Sequence, residues 1–205
     1  MRKEERILRE ILTGIKEGKE RFFQKDISKV CNVSIGLVNK VIKKLEFQGS
    51  VQRGGRGFSV IDANKILFYW ATKRRIKEEV SEKYYIKSSV ENIEKTLPNC
   101  VIFTAFSGWR LLTGRVPADY REVYVFVPKG SEEVMRLWLK GNKPSKGPEN
   151  LFIIYTDDEH LIKNSKKNIV PVPQIFVDLY SVGGISSKYF LNDILEVNPE
   201  FKFEV

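Results

Sequence analysis

The stretch that most restricts the fold is SIGLVNKVIKKLEFQGSVQRGGRGFSV, running from Ser34 to Val60. In its first half apolar residues return every three or four positions. Val38, Val41, Ile42 and Leu45 fall on one face of an α-helix, and Gly36, Asn39, Lys40 and Lys43 fall on the opposite face. Ser34 is suited to cap that helix and Gly49 to stop it. The second half changes period. SVQR and GFSVI read as two short strands, and GGRG between them supplies the glycines a tight turn needs.

The preceding residues can cover the apolar face of that helix. Residues 4–17 read as a helix in which Ile7, Leu8, Ile11, Leu12 and Ile15 recur at helical spacing, until Gly18 breaks the pattern. A short second helix fits Gln24–Cys31, with Ile27, Val30 and Cys31 inward, and Asn32-Val33-Ser34 turns the chain into the third. Three helices with a tight turn between the second and third, followed by a hairpin, make a winged helix-turn-helix over residues 1–61. The stretch resembles a common bacterial and archaeal pattern of this kind at Val33, Ser34, Val38, Ile42, Lys43, Lys44, Leu45, Glu46, Gly49, Val51 and Arg53. A helix of this width fits the major groove, with its N-terminal residues nearest the base edges. Ser34, Gly36, Asn39 and Lys40 would point there, and the amide of Asn39 can pair two atoms of adenine. Lys43 and Lys44 are assigned to phosphates, and Arg53 and Arg56 to the flanking backbone or the minor groove. The competing reading is a winged helix used for protein contact, with Lys40, Lys43 and Lys44 as a solvated face.

Charge favours an anionic partner for this end. The net charge is +9, and residues 1–80 hold 19 Lys/Arg against 10 Asp/Glu, whereas residues 81–205 hold 16 of each. A generally Lys-rich surface does not explain why the two parts differ. Double-stranded DNA is therefore the expected partner of the first 61 residues. No run of eighteen apolar residues suggests a membrane span, and the charged N-terminus MRKEERILRE lacks the apolar segment of a signal peptide. Two cysteines in unrelated contexts, Cys31 and Cys100, suit a reducing cytoplasm, and with the single His160 they suggest no zinc site.

Asp62 can cap a connecting helix from Ala63 to about Val80, within a connector of residues 62–80. Its first half is apolar nearly all round, from Ile66 through Leu67, Phe68, Tyr69 and Trp70 to Ala71, so burial on more than one side is expected. Since one winged helix covers only a short site, Ile66–Trp70 is also the expected seam of a homodimer. From residue 81 to 205 strand and helix signals alternate. VYVFVP and LFIIYT are the clearest strands. Helices are expected at VENIEKTLP, at SGWRLLTG with Ser107 as its cap, at SEEVMRLWLKG, at DDEHLIKN, at QIFVDLYSV and, past Gly183-Gly184, at SSKYFLNDILEV. The fold class is α+β (mixed α/β), with a winged helix-turn-helix, a helical connector and a C-terminal α/β domain.

The C-terminal part resembles AbiEi-type antitoxins. The likeness lies in a strand leading into SGWRLLTG, in VYVFVP, and above all in VPVPQIFVDLY followed by YFLNDIL: Pro171, Pro173, Gln174, Asp178, Leu179, Phe190, Leu191 and Leu195. The resemblance implies a transcriptional regulator that represses a toxin–antitoxin operon, and a second domain that antagonises a nucleotidyltransferase-like toxin. Tyr180, Tyr189 and Phe190, which flank the Gly-Gly break, are the expected partner-binding residues, because aromatic side chains often anchor interfaces.

The alternative is an enzyme, a nuclease or nucleotidyltransferase tethered to DNA by the winged helix. Phosphoryl chemistry needs two carboxylates placed to share Mg²⁺. Asp157 and Asp158 are adjacent and read better as helix caps, and Asp119 and Glu122 lack the lysine of a nuclease motif. His160 has no triad neighbours in sequence, Cys31 and Cys100 read as core, and Asp178 reads as a buried hydrogen-bond hub. No catalytic residue, metal or cofactor is assigned.

Overall fold

In the computed structural model, residues 3–55 and 57–201 are described. The N-terminal part contains α1 (Lys3–Lys16), β1 (Arg21–Phe23), α2 (Gln24–Val30), α3 (Ile35–Phe47), β2 (Val51–Gly54) and β3 (Gly57–Val60). Ser34 caps α3, its side chain accepting from the amide of Leu37 at 3.2 Å. Strand β1 was not expected from the sequence. It completes a three-stranded antiparallel sheet in the order β1-β3-β2, pairing Arg21 with Ser59 and Phe23 with Gly57. Phe22 stacks on Phe58 with ring centroids 5.5 Å apart.

The backbones of β1 and β3 approach so closely that only glycine fits at one place. A Cβ added to Gly57 would lie 2.4 Å from the carbonyl oxygen of Phe22. Gly57→Val is therefore expected to force the strands apart and to destabilise the sheet by about 1–3 kcal/mol. Urea unfolding checks this, and an unchanged midpoint would contradict it.

The middle of the chain departs from the sequence expectation. The connector is not one helix to Val80. Helix α4 (Ala63–Ala71) ends in a turn, and α5 (Ile76–Glu79) follows as a separate single turn. Asp62 caps α4 as expected, accepting from the amide of Lys65 at 2.9 Å. The break lets Arg74 turn inward to Asp178 and lets the amide of Ile76 donate to Ser181 Oγ at 2.9 Å. Nor is Ile66–Trp70 a free seam: Ile66, Leu67 and Trp70 are fully buried between α1 and α10 (Val172–Val182) of the same chain.

The C-terminal part is built on a four-stranded mixed sheet in the order β4-β7-β6-β5. Its strands are β4 (Glu82–Tyr84), β5 (Ile102–Thr104), β6 (Val123–Pro128) and β7 (Leu151–Thr156). Strands β6 and β7 are parallel, joined by a crossover containing α8 (Glu132–Gly141), and the outer pairs are antiparallel. Side chains alternate between the two faces. Val123, Val125, Val127, Leu151 and Ile153 enter a core with α6 (Val90–Thr96) and α8, while Tyr124, Phe126 and Ile154 face α7 (Ala105–Thr113) and α10. Ser107 does not cap α7. The helix begins at Ala105, and Ser107 is buried inside it. Asp158, by contrast, caps α9 (Glu159–Asn164), accepting from the amides of His160 and Leu161. Gly183 and Gly184, both at positive φ, turn α10 into α11 (Gly184–Val197), and a last turn covers Pro199–Phe201.

The core that holds this second sheet face continues without a gap into the N-terminal part. Ile7, Leu12, Val41, Trp70, Phe126, Phe176 and Phe201 belong to one buried cluster. The molecule is thus an α+β protein whose helix α1 serves both ends. Among the described residues no helix is long and apolar enough to cross a membrane.

Candidate nucleic-acid interface

Helix α3 packs Val38, Val41, Ile42 and Leu45 inward, all fully buried. Its other face is open. Gly36, Lys40 and Lys43 are exposed, and a Cβ on Gly36 would meet nothing within 4 Å. Lys40 and Lys43 make no ion pair among the described residues, so both charges are available to an anion. Ser34 lies at the start of this face, but its oxygen is engaged as the helix cap.

Asn39 and Arg53 form a unit. Asn39 is half-buried, and its Oδ1 accepts from Arg53 Nη2 at 3.1 Å. Arg53 Nε lies 3.0 Å from Glu46 Oε2, so the guanidinium on β2 is clamped between two residues of α3. The amide nitrogen of Asn39 keeps both its N–H donors, and its oxygen keeps a second lone pair. Arg53 is therefore placed to orient Asn39 rather than to reach a phosphate freely. Arg21 on β1 supports the hairpin, donating to the carbonyl oxygen of Gly54 at 2.8 Å. Arg56 lies outside the described residues.

Lys44 points elsewhere. Its Nζ is 3.6 Å from Glu4 of α1, in a cluster with Tyr69 and Lys73. Burial works against the charge of Glu4, but the Tyr69 hydrogen bond and the pairs with Lys73 and Lys44 outweigh it and hold its pKa below the ordinary carboxylate value. The sequence reading also passed over Phe47. This ring ends the open face of α3 and is 94% exposed. Helical spacing was the signal that could have found it, since Phe47 follows Gly36, Lys40 and Lys43 along the same face of α3, opposite the apolar stripe.

A buried polar network joins α1 to the C-terminal part. Arg9 and Arg74 are both fully buried. Arg9 Nε donates to Gln174 at 3.0 Å, and its Nη1 reaches Asp158 at 3.3 Å and His160 Nδ1 at 3.0 Å. Arg74 Nε donates to Asp178 at 2.6 Å, and its Nη1 meets Glu5 and Glu79 at 3.2 and 2.7 Å. Asp178 also accepts from Gln174 and from Thr104 Oγ1, so it is a hub as the sequence suggested. Arg6 adds a pair to Asp158 at 2.9 Å. These contacts place Asp158 inside the protein, whereas Asp157 is exposed, so the two acids face different surroundings.

The fold brings together three residues that looked unrelated in sequence. Ligand atoms of Glu10, Cys31 and His160 lie within 4.8 Å of one another. An arginine can only donate, so Nδ1 of His160 accepts from Arg9, and its Nε2–H donates to Glu10 at 3.0 Å. A metal on Nε2 would require the ring to give up that proton as well. Burial, reinforced by Glu10, pushes the Cys31 thiol up to about 12, and the thiol donates to the carbonyl oxygen of Arg6. The three groups are thus satisfied as a hydrogen-bonded set with neutral thiol and ring, a poor donor set for a cation.

The structure separates the three aromatic residues at the Gly-Gly break. Phe190 is fully buried, edge-on to Phe106 at 5.1 Å and Tyr120 at 5.6 Å, because it shares the inward face of α11 with Ile194. It belongs to the core and not to a partner surface. Tyr180 and Tyr189 are 40% and 55% exposed, and Tyr180 also packs edge-on against Phe68.

No family model matches the chain, and a search of curated proteins finds no relative of it. The likeness to AbiEi-type antitoxins rests on the short motifs quoted above.

Proposed function

We propose that residues 3–61 are a winged helix-turn-helix that binds duplex DNA and that the protein is a transcriptional regulator acting in the cytoplasm. The observation that carries this reading is the open face of α3. A capped helix presents Gly36, Asn39, Lys40 and Lys43 outward, with two unpaired ammonium groups and an amide braced from the hairpin side. Phosphates meet Lys40 and Lys43, and Asn39 reads a base edge. The excess of positive charge in residues 1–80 supports the same partner. The antitoxin role, with a nucleotidyltransferase-like protein as target, is the extension that the resemblance suggests, and exposed Tyr180 and Tyr189 are its surface residues.

Selection of binding sites from a pool of random duplexes tests the reading. The full chain is expected to enrich a short motif. Asn39→Ala should relax preference at one position, at a cost of about 1–3 kcal/mol on the selected site alone. Arg53→Ala should reproduce part of that loss, because it frees Asn39 to adopt other rotamers, while leaving binding to random DNA nearly intact. A pool that shows no enrichment would contradict base reading.

A further inference from the structure

The outer face of the three-stranded sheet holds an arginine at the hairpin tip that comes from outside the hairpin. Arg21, Ser59 and Gln52 lie side by side across β1, β3 and β2, and nearer the tip Phe23, Gly57 and Gly54 do the same. Because Gly57 and Gly54 have no side chains, the Arg21 side chain passes over β3 and reaches β2. Its Nη2 donates to the carbonyl oxygen of Gly54 at 2.8 Å, and its guanidinium carbon lies 6.0 Å from the centre of the Phe23 ring. Gly55 leaves it room, since a Cβ there would come within 3.3 Å of the same Nη2. Arg21 is exposed and pairs with no carboxylate among the described residues. Gly54 takes one of its five N–H donors, and the others are left for a ligand. Side-chain freedom that binding would otherwise remove is already restricted in the free protein.

We propose that Arg21 enters the minor groove beside the site read by α3 and gives the protein a preference for A·T-rich flanks. The inference rests on the DNA-binding reading and adds to it a residue from neither α3 nor the hairpin. Arg53, on the other face of the hairpin, is held by Asn39 and Glu46 and so fixes the hairpin beside α3. With α3 in the major groove, the tip lies over the neighbouring minor groove. The tip is slender there. Gly54, Gly55 and Gly57 leave little more than backbone and one flat guanidinium to enter a groove about 6 Å wide. A·T tracts narrow that groove and strengthen its negative potential, which attracts arginine. In G·C pairs the amino group of guanine projects into the same groove and meets the guanidinium donor to donor.

The test uses the full-length chain and two duplexes that share the selected central motif and A·T flanks. In the second duplex 2,6-diaminopurine replaces adenine in the flanks alone. This base keeps the major-groove edge of adenine and adds an amino group in the minor groove. Fluorescence anisotropy is expected to show about tenfold weaker binding to the diaminopurine duplex, the size of one mismatched pair. That ratio should fall to about one in Arg21→Ala, and also in Arg21→Lys, which keeps the charge but not the flat fork. Asn39→Ala should weaken both duplexes and leave the ratio near tenfold, because it acts in the other groove. Equal binding of the two duplexes by the unaltered chain would overturn the inference and leave the DNA-binding reading standing. So would a tenfold ratio that persists in both Arg21 variants. A chain that binds neither duplex contradicts the DNA-binding reading itself, and the minor-groove contact falls with it.

Discussion

Replacing Arg74 with alanine is expected to destabilise the protein by about 3–5 kcal/mol, the range found when one partner of a buried ion pair is removed. Arg74 is fully buried and holds Asp178 of α10, Glu5 of α1 and Glu79 of α5 together. Burial opposes its charge, but the three carboxylates more than compensate and keep it firmly protonated. Without it, Asp178 and Glu5 remain buried beside each other without the cation that bridges them. Burial already pushes both carboxyls above their ordinary values while Arg74 holds them down. For a chain of this size the loss corresponds to a fall in Tm of roughly 6–20 °C. Lysine should not rescue it, since one ammonium cannot reproduce the separate Nε and Nη1 contacts. Thermal unfolding followed by circular dichroism checks this, and a shift within about 2 °C would mean that the network contributes little.

The second large effect concerns binding. Lys40→Ala with Lys43→Ala should lower affinity for all duplexes alike, by roughly sixtyfold at about 0.1 M salt. Each lost phosphate contact removes about 0.9 from the log–log salt slope, which is about eightfold per contact at that concentration relative to 1 M. Both side chains are exposed and unpaired, so the substitutions leave the fold intact and the loss is assigned to the interface. Lys44→Ala is the control. It sits beside Glu4 and Tyr69, and its removal should change affinity much less. Fluorescence anisotropy with a labelled duplex reads both, and equal losses for Lys40/Lys43 and Lys44 would contradict the orientation assigned to α3.

What the sequence disclosed was set by how local the causes are. The caps Ser34 and Asp62, the apolar stripe of α3, the hairpin glycines and the runs VYVFVP and LFIIYT all act within a few residues, and each appears where periodicity puts it. The break after Ala71 was illegible because no glycine or proline marks it. Its causes, Asp178 and Ser181, lie more than a hundred residues away. Thr104 illustrates the same point at the start of α7: its hydroxyl donates to Asp178 and does not cap the helix. Phe190 was placed on the surface because the sequence shows an aromatic beside glycines, whereas its direction follows from α11 packing against Phe106 and Tyr120. On the open face of α3, Lys40 and Lys43 were readable from helical spacing alone. The clamp of Arg53 between Asn39 and Glu46 was not, since it joins a helix to a strand. The closeness of Glu10, Cys31 and His160 had no sequence signal, as the three lie on separate elements.

The most direct measurement is the affinity of the full-length chain for a labelled random duplex as salt is varied. Phosphate contacts from Lys40 and Lys43 predict tight binding at low salt and a log–log slope of about −2, as expected for roughly two contacts. A protein that fails to bind duplex DNA at about 50 mM salt, or binds with a slope near zero, would contradict the assignment of α3 as a DNA-reading helix.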